Sequence, residues 1–411
     1  MQAMPSLSPV PAWTRARELG TFKVLALCAL VILLEGFDLQ AAGVSAPRLA
    51  PEFHLLPVQL GWFLGSSSLG IFLASALGGM LADRFGRRPV VVAGVALFGL
   101  CSLLTVRVGG LGPLLAARFM TGVGLGLALP AVIAMASDHS PVPWKKRAVG
   151  FIYCAIPIGA LLAGAVIQSG WFGRGWRSVY LVGGLAPLLV VPLLLALLPA
   201  PLEAAPGERK GATGGRFLGG LLGREHVRVT LSLWLGTFGT LLVIYLLLGW
   251  MPTLLMGLGL QRGQVQFVQM AFNLGSSLGA AVSGLLLDRH YISSTPVVAY
   301  LASALCLALF GCMPLGFRSA QALAFVVGGT VTCAQAAIFA LAPLCYGREV
   351  RTTGVGAAVS AGRFGTIAGP LLAGGLLGVG RSAAQVLIVL IPITLLSGLA
   401  VLLVARRAQM A

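Results

Sequence analysis

Four ionisable side chains stand inside long apolar runs of the sequence: Glu35, Asp38, Arg118 and Arg363. A charge placed in hydrocarbon is costly, so each of them implies a partner, a water-filled cavity or a task. Glu35 and Asp38 are three residues apart, which on a helix sets them on one face. Burial and mutual repulsion make the charge of such a pair conditional. A carboxyl of this kind can take a proton on one side of a membrane and lose it on the other. Asp38 is expected to be the main proton-coupling group, with Glu35 modulating it; an ion pair with an arginine is the competing role. Arg118 and Arg363 are permanent cations, and each can grip a carboxylate through two parallel hydrogen bonds. One falls in each half of the chain. Arg363 lies deeper in its run and is expected to be the anchor of an anionic solute. Arg118 shares that role or pairs with a carboxyl.

What must position these groups is a membrane bundle. Of the 411 residues, 58% are hydrophobic and 9% are charged, and the mean hydropathy is +0.95. A soluble domain carries about 25% charged residues, and it cannot hide this much apolar surface. Twelve runs are long enough to span: 22–43, 59–81, 88–106, 112–136, 148–169 and 178–199, then 229–252, 266–287, 295–315, 320–344, 355–378 and 384–405. Residues 200–228 are polar and Gly-rich and read as a linker. The chain thus divides into a six-helix half (1–199), a cytoplasmic linker (200–228) and a second six-helix half (229–411). The first apolar run contains acids and has no small-residue cleavage site, so it reads as a spanning helix rather than a signal peptide. The seven cysteines form no CxxC pair and read as small packing residues.

The formal net charge is +17. The basic residues are scattered between apolar runs, with no stripe of the kind nucleic acid requires. With both termini cytoplasmic, nineteen Lys and Arg fall on the inner side and seven on the outer. Positively charged loops stay inside, so both ends are expected in the cytoplasm.

The two halves resemble one another. Residues 79–84 read GMLADR and residues 284–289 read GLLLDR. Residues 147–164 read RAVGFIYCAIPIGALLAG, against RTTGVGAAVSAGRFGTIAGPLLAG at 351–374. Two related halves around a central site are an architecture for moving a solute by rocking. Asp83 and Asp288 occupy equivalent ends of the second and eighth spans, where a carboxylate can meet the N-terminus of a facing helix. Pro157 with Gly159, and Gly369 with Pro370, are candidate flexible points.

GGMLADRFGRRP at 78–89 resembles the loop signature of the major facilitator superfamily, and RFMTGVGLG at 118–126 its second common motif. EGFDLQAAGVSAP at 35–47 is similar to the helix 1 motif of the aromatic acid:proton symporters, with Glu35 where that family usually has Asp; 351–374 resembles their helix 10–11 region. The resemblance implies an all-α fold of twelve transmembrane helices in two pseudo-symmetric bundles. It also implies a monomer in the bacterial inner membrane, importing an aromatic carboxylate with protons and without a cofactor or metal. Among these symporters the likeness is to those that carry 3-(3-hydroxyphenyl)propionate.

On that reading Asp83, Arg84, Gly86, Arg87 and Arg88, with Asp288 and Arg289, belong to a cytoplasmic gate. The ring and hydroxyl of an aromatic acid need an apolar slot with a few polar contacts. Gln40, Tyr153, Tyr245, Asn273 and Gln335 are the candidates, although each can equally bond between helices. Phe238, Trp250 and Phe339 read as packing or interface anchors. An enzyme is disfavoured, because the chain has no HExxH, nucleophile elbow, P-loop or dense His/Cys cluster. A proton-coupled exporter of drugs on the same fold is the alternative; the arginines and the EGFD motif favour uptake of an anion.

Overall fold

The computed structural model describes residues 12–140, 152–170, 173, 175–199, 223, 226–287, 294–346 and 350–410. Among them are twelve α-helices. The first six are α1 (Ala12–Glu52), α2 (Pro57–Phe85), α3 (Arg87–Thr105), α4 (Leu111–His139), α5 (Ala155–Ser169) and α6 (Arg177–Leu197). The second six are α7 (Val227–Gly257), α8 (Arg262–Leu287), α9 (Ser294–Cys312), α10 (Phe317–Leu341), α11 (Arg351–Gly378) and α12 (Ala383–Met410). Each matches one of the twelve expected spans. Eight are long and apolar enough to cross a membrane by length and composition. Asp288, Arg289, residues 148–151 of the expected fifth span and most of the 200–228 linker lie outside the described residues.

The two sets of six pack alike. In the first, α2 lies on α4, α1 on α5 and α3 on α6; in the second, α8 lies on α10, α7 on α11 and α9 on α12. Small residues make this possible, since without a Cβ two helix backbones can touch. Gly70 of α2 faces the backbone of Phe119, and Gly122 of α4 faces that of Ser67. Gly275 of α8 faces Phe325 in the same way, and Gly328 of α10 faces Phe272. Gly275 comes 205 residues after Gly70, and Gly328 comes 206 after Gly122. The offset of the sequence repeat therefore reappears in the close approaches of the helices.

The halves meet through α2 with α11, α5 with α8 and α1 with α7. We call the face with the α1–α2 and α7–α8 turns the distal face, and the face with the α2–α3 turn the linker face. Toward the distal face the halves close tightly. A Cβ on Gly61 would stand 2.9 Å from the Pro370 carbonyl oxygen, and that oxygen accepts the Trp250 indole N–H at 3.0 Å. Phe72 and Phe364, halfway along α2 and α11, have ring centroids 4.7 Å apart. Beyond them toward the linker face, Gly79 continues the same side of α2 but borders open space, and Asp83, Arg84 and Ser360 are exposed. The bundle is shut at the distal face and parted at the linker face.

Candidate functional site

Where the halves begin to part, four of the expected residues come together from four segments. They are Glu35 on α1, Tyr153 just before α5, Tyr245 on α7 and Arg363 on α11. The charges acting on Glu35 are those of Arg363 and Asp38. Tyr153 feels Glu35, Arg363 and Tyr245, and Tyr245 feels Arg363 and Glu35. Glu35 is buried, Arg363 and Tyr245 are half-buried, and Tyr153 is 41% exposed. None of the four side chains hydrogen-bonds to another described residue, and the ion pairs among the described residues leave Arg363 out. A guanidinium with no partner, beside a carboxyl and two phenols at a helix junction, has its donors free for an incoming carboxylate.

Arg118 is different. Of the two roles open to it, solute contact or a pair with a carboxyl, the structure shows the pair, with Asp38. Arg118 Nη1 donates to Asp38 Oδ1 at 2.9 Å and Nη2 to the Asp38 main-chain oxygen at 3.3 Å. Both side chains are 1% exposed. The guanidinium carbon lies 5.5 Å from the Tyr180 ring centroid, and the Tyr180 hydroxyl is bonded to Ser45 Oγ at 2.9 Å. Arg118 sits two turns inside α4, buried in the protein with Asp38 as its counter-ion. Asp38 Oδ2 and Arg118 Nε are buried without a hydrogen-bond partner, so the pair keeps one vacant acceptor and one vacant donor.

Gln40 and Asn273 also had two roles open to them, a contact to solute or a bond between helices, and they are engaged between helices. Gln40 Nε2 donates to the Leu248 carbonyl at 3.2 Å, and Gln40 Oε1 accepts from Gln269 Nε2 at 3.2 Å and Asn273 Nδ2 at 3.3 Å. All three amides are fully buried. Buried amides in a bundle find partners across helices, and these tie α1 to α7 and α8 on the distal side. Gln335 is half-buried on α10 with no hydrogen bond to another described residue. Gln266 and Gln269 went unnoticed in the sequence; their signal was the polar stripe 266, 269, 273 along one face of an apolar run.

At the linker face, Gly86 breaks the chain between α2 and α3 with φ 89 and ψ 154, a conformation open only to glycine. Asp83 and Arg84 are exposed, and Arg84 lies over the Phe85 ring. Arg87 pairs with Asp138 at the end of α4, and Arg88 donates to the Leu195 carbonyl at the end of α6. The signature thereby clips the start of α3 to its own half. Asp138 is a third residue that sequence reasoning passed over.

Comparison with known proteins agrees with this architecture. The chain is 40% identical to the 3-(3-hydroxyphenyl)propionate transporter of Escherichia coli, over 94% of each chain. It is 31% identical to the gallate transporter of Pseudomonas putida, over 90% of this chain and 89% of that one. A crystal structure of a bacterial homolog of the human lysosomal transporter Spinster superposes with a TM-score of 0.76 at 17% identity, covering 95% of this chain and 98% of that one. The model of the Major Facilitator Superfamily matches residues 28–370, and with twelve helices in two repeated sets of six the chain belongs to that superfamily of membrane transporters.

Proposed function

We propose that the protein imports an aromatic carboxylic acid together with protons, with 3-(3-hydroxyphenyl)propionate as the substrate. The observation that carries this reading is the unpartnered Arg363 beside Glu35, Tyr153 and Tyr245 at the junction of the halves. The likeness to carriers of aromatic acids supports it. The carboxylate docks on the Arg363 guanidinium, and the two tyrosines flank the ring. Glu35 stands beside the same cation, so an ionised Glu35 and an anionic substrate compete for it, and a proton on Glu35 relieves the competition. Asp38, with a vacant oxygen against Arg118, is the main coupling group. Asp83, Arg84, Gly86, Arg87 and Arg88 serve the gate on the linker face, together with Asp288 and Arg289.

The bias of nineteen to seven in Lys and Arg supports both termini being cytoplasmic in the inner membrane, and the superfamily fold supports a monomer. In that orientation the linker face is cytoplasmic, and the conformation described here is open inward. Residues 1–199 and 229–411 rock about the central site, with 200–228 joining them.

The test is uptake of the labelled acid into proteoliposomes under an inward proton gradient. Accumulation several-fold above equilibrium, lost on adding an uncoupler, is expected. If folded, oriented protein accumulates nothing, this substrate is discarded. The gate makes its own prediction. Asp83→Asn should slow uptake about tenfold while leaving the substrate Kd within about twofold, because Asp83 is remote from Arg363. Lost binding with normal cycling would remove Asp83 from the gate.

A further inference from the structure

Among the described residues the distal face carries six arginines against a single acid, Glu52. That acid is already taken. Its Oε1 lies 2.7 Å from Arg177 Nη2, and its Oε2 accepts the Trp176 indole N–H at 2.6 Å. Among the described residues the other distal arginines have no acid of their own on this face.

Two of them meet across the junction of the halves. Gln266 Nε2 donates to the Val44 carbonyl at 3.3 Å and so pins α8 to α1. Arg48 lies four residues after Val44, and Arg262 lies four before Gln266. Residues four apart share one side of a helix. The two helices run in opposite senses here, so both steps lead toward the distal face, about 6 Å beyond the amide contact. The charge of Arg262 bears on Arg48. Arg48 Nη1 is buried with no hydrogen-bond acceptor, and neither arginine has a carboxylate within ion-pair distance among the described residues. Two like charges contributed by opposite halves, one with a buried N–H left unsatisfied, form a group that an anion would complete.

We propose that Arg48 and Arg262 form a carboxylate-docking site at the distal mouth, where the anion to be carried binds before it reaches Arg363. This rests on the reading of the substrate as an organic acid. The pair draws the anion to the entrance by its field and holds it through the guanidinium fork. When the distal face opens, the two side chains stand on opposite walls of the entrance.

The experiment is uptake of labelled 3-(3-hydroxyphenyl)propionate into proteoliposomes at ionic strengths from about 0.01 to about 0.5 M, a range that takes the screening length from about 30 Å to a few ångströms. The wild type should show a KM that rises with salt. Arg48→Gln/Arg262→Gln should raise KM about tenfold at low salt, flatten its salt dependence and keep Vmax within about twofold. Arg48→Lys/Arg262→Lys keeps both charges and should restore most of the low-salt KM. An unchanged KM and salt slope in the glutamine variant overturns the docking site. So does a fall in Vmax with KM unmoved, which would make the pair part of the distal closure. If the wild type takes up no aromatic acid, the proposed function falls first and the docking site with it.

Discussion

Arg363→Ala should abolish saturable uptake, with substrate affinity reduced about a hundredfold or more. A charge-assisted, two-pronged contact to a carboxylate is worth several kcal/mol in a site shielded from water, and about 2.7 kcal/mol already makes a hundredfold. The reason to expect a clean result lies in what Arg363 does not touch. It has no hydrogen bond or ion pair to another described residue, so its removal breaks no such bond, and Glu35, the buried acid that feels its charge, can answer the loss by holding a proton. The protein should fold, and the loss should report binding. Arg363→Lys keeps the charge but loses the planar fork, and a smaller loss, about tenfold, is expected. Equilibrium binding of labelled substrate to purified protein measures both. An unchanged Kd in Arg363→Ala would place the anchor elsewhere.

Much of this arrangement is legible in the sequence, for reasons that differ by residue. The helices are legible because each apolar run must satisfy its own backbone in lipid; all twelve appear where the runs predict. The repeat is legible because close helix contacts demand small residues at fixed places, and Gly70 and Gly275 keep the 205-residue offset that GMLADR and GLLLDR display. Arg363 and Glu35 are legible as costly charges in hydrocarbon. What they face is another matter. Whether Arg118 turns toward Asp38, 80 residues earlier in the chain, depends on the rotation of α4 against α1, and no local spacing encodes that. The same holds for Gln40. An amide in an apolar run looks alike whether it lines a cavity or bonds another helix, and only the packing of α8 brings Gln269 and Asn273 to it. Arg48 and Arg262 read as ordinary loop charges until the Gln266–Val44 contact sets α8 against α1.

The buried ion pair yields the second large effect, and it has two separable parts. Asp38→Asn should end accumulation driven by a pH gradient, because the amide cannot exchange a proton. It should also destabilise the protein by about 3–5 kcal/mol, since Arg118 would be left charged, buried and without a carboxylate. A loss of function in the single variant would therefore be ambiguous by itself. The variant Asp38→Asn/Arg118→Gln removes both charges from the site, and replacing a buried pair by neutral groups costs far less than breaking it. It should recover most of the thermal midpoint in detergent and still fail to accumulate substrate, while downhill exchange of labelled for unlabelled substrate persists. Recovery of gradient-driven accumulation along with stability would show that Asp38 serves only to hold Arg118. The coupling proton would then belong to Glu35, the one other acid among the described residues that stands within the bundle beside the Arg363 site.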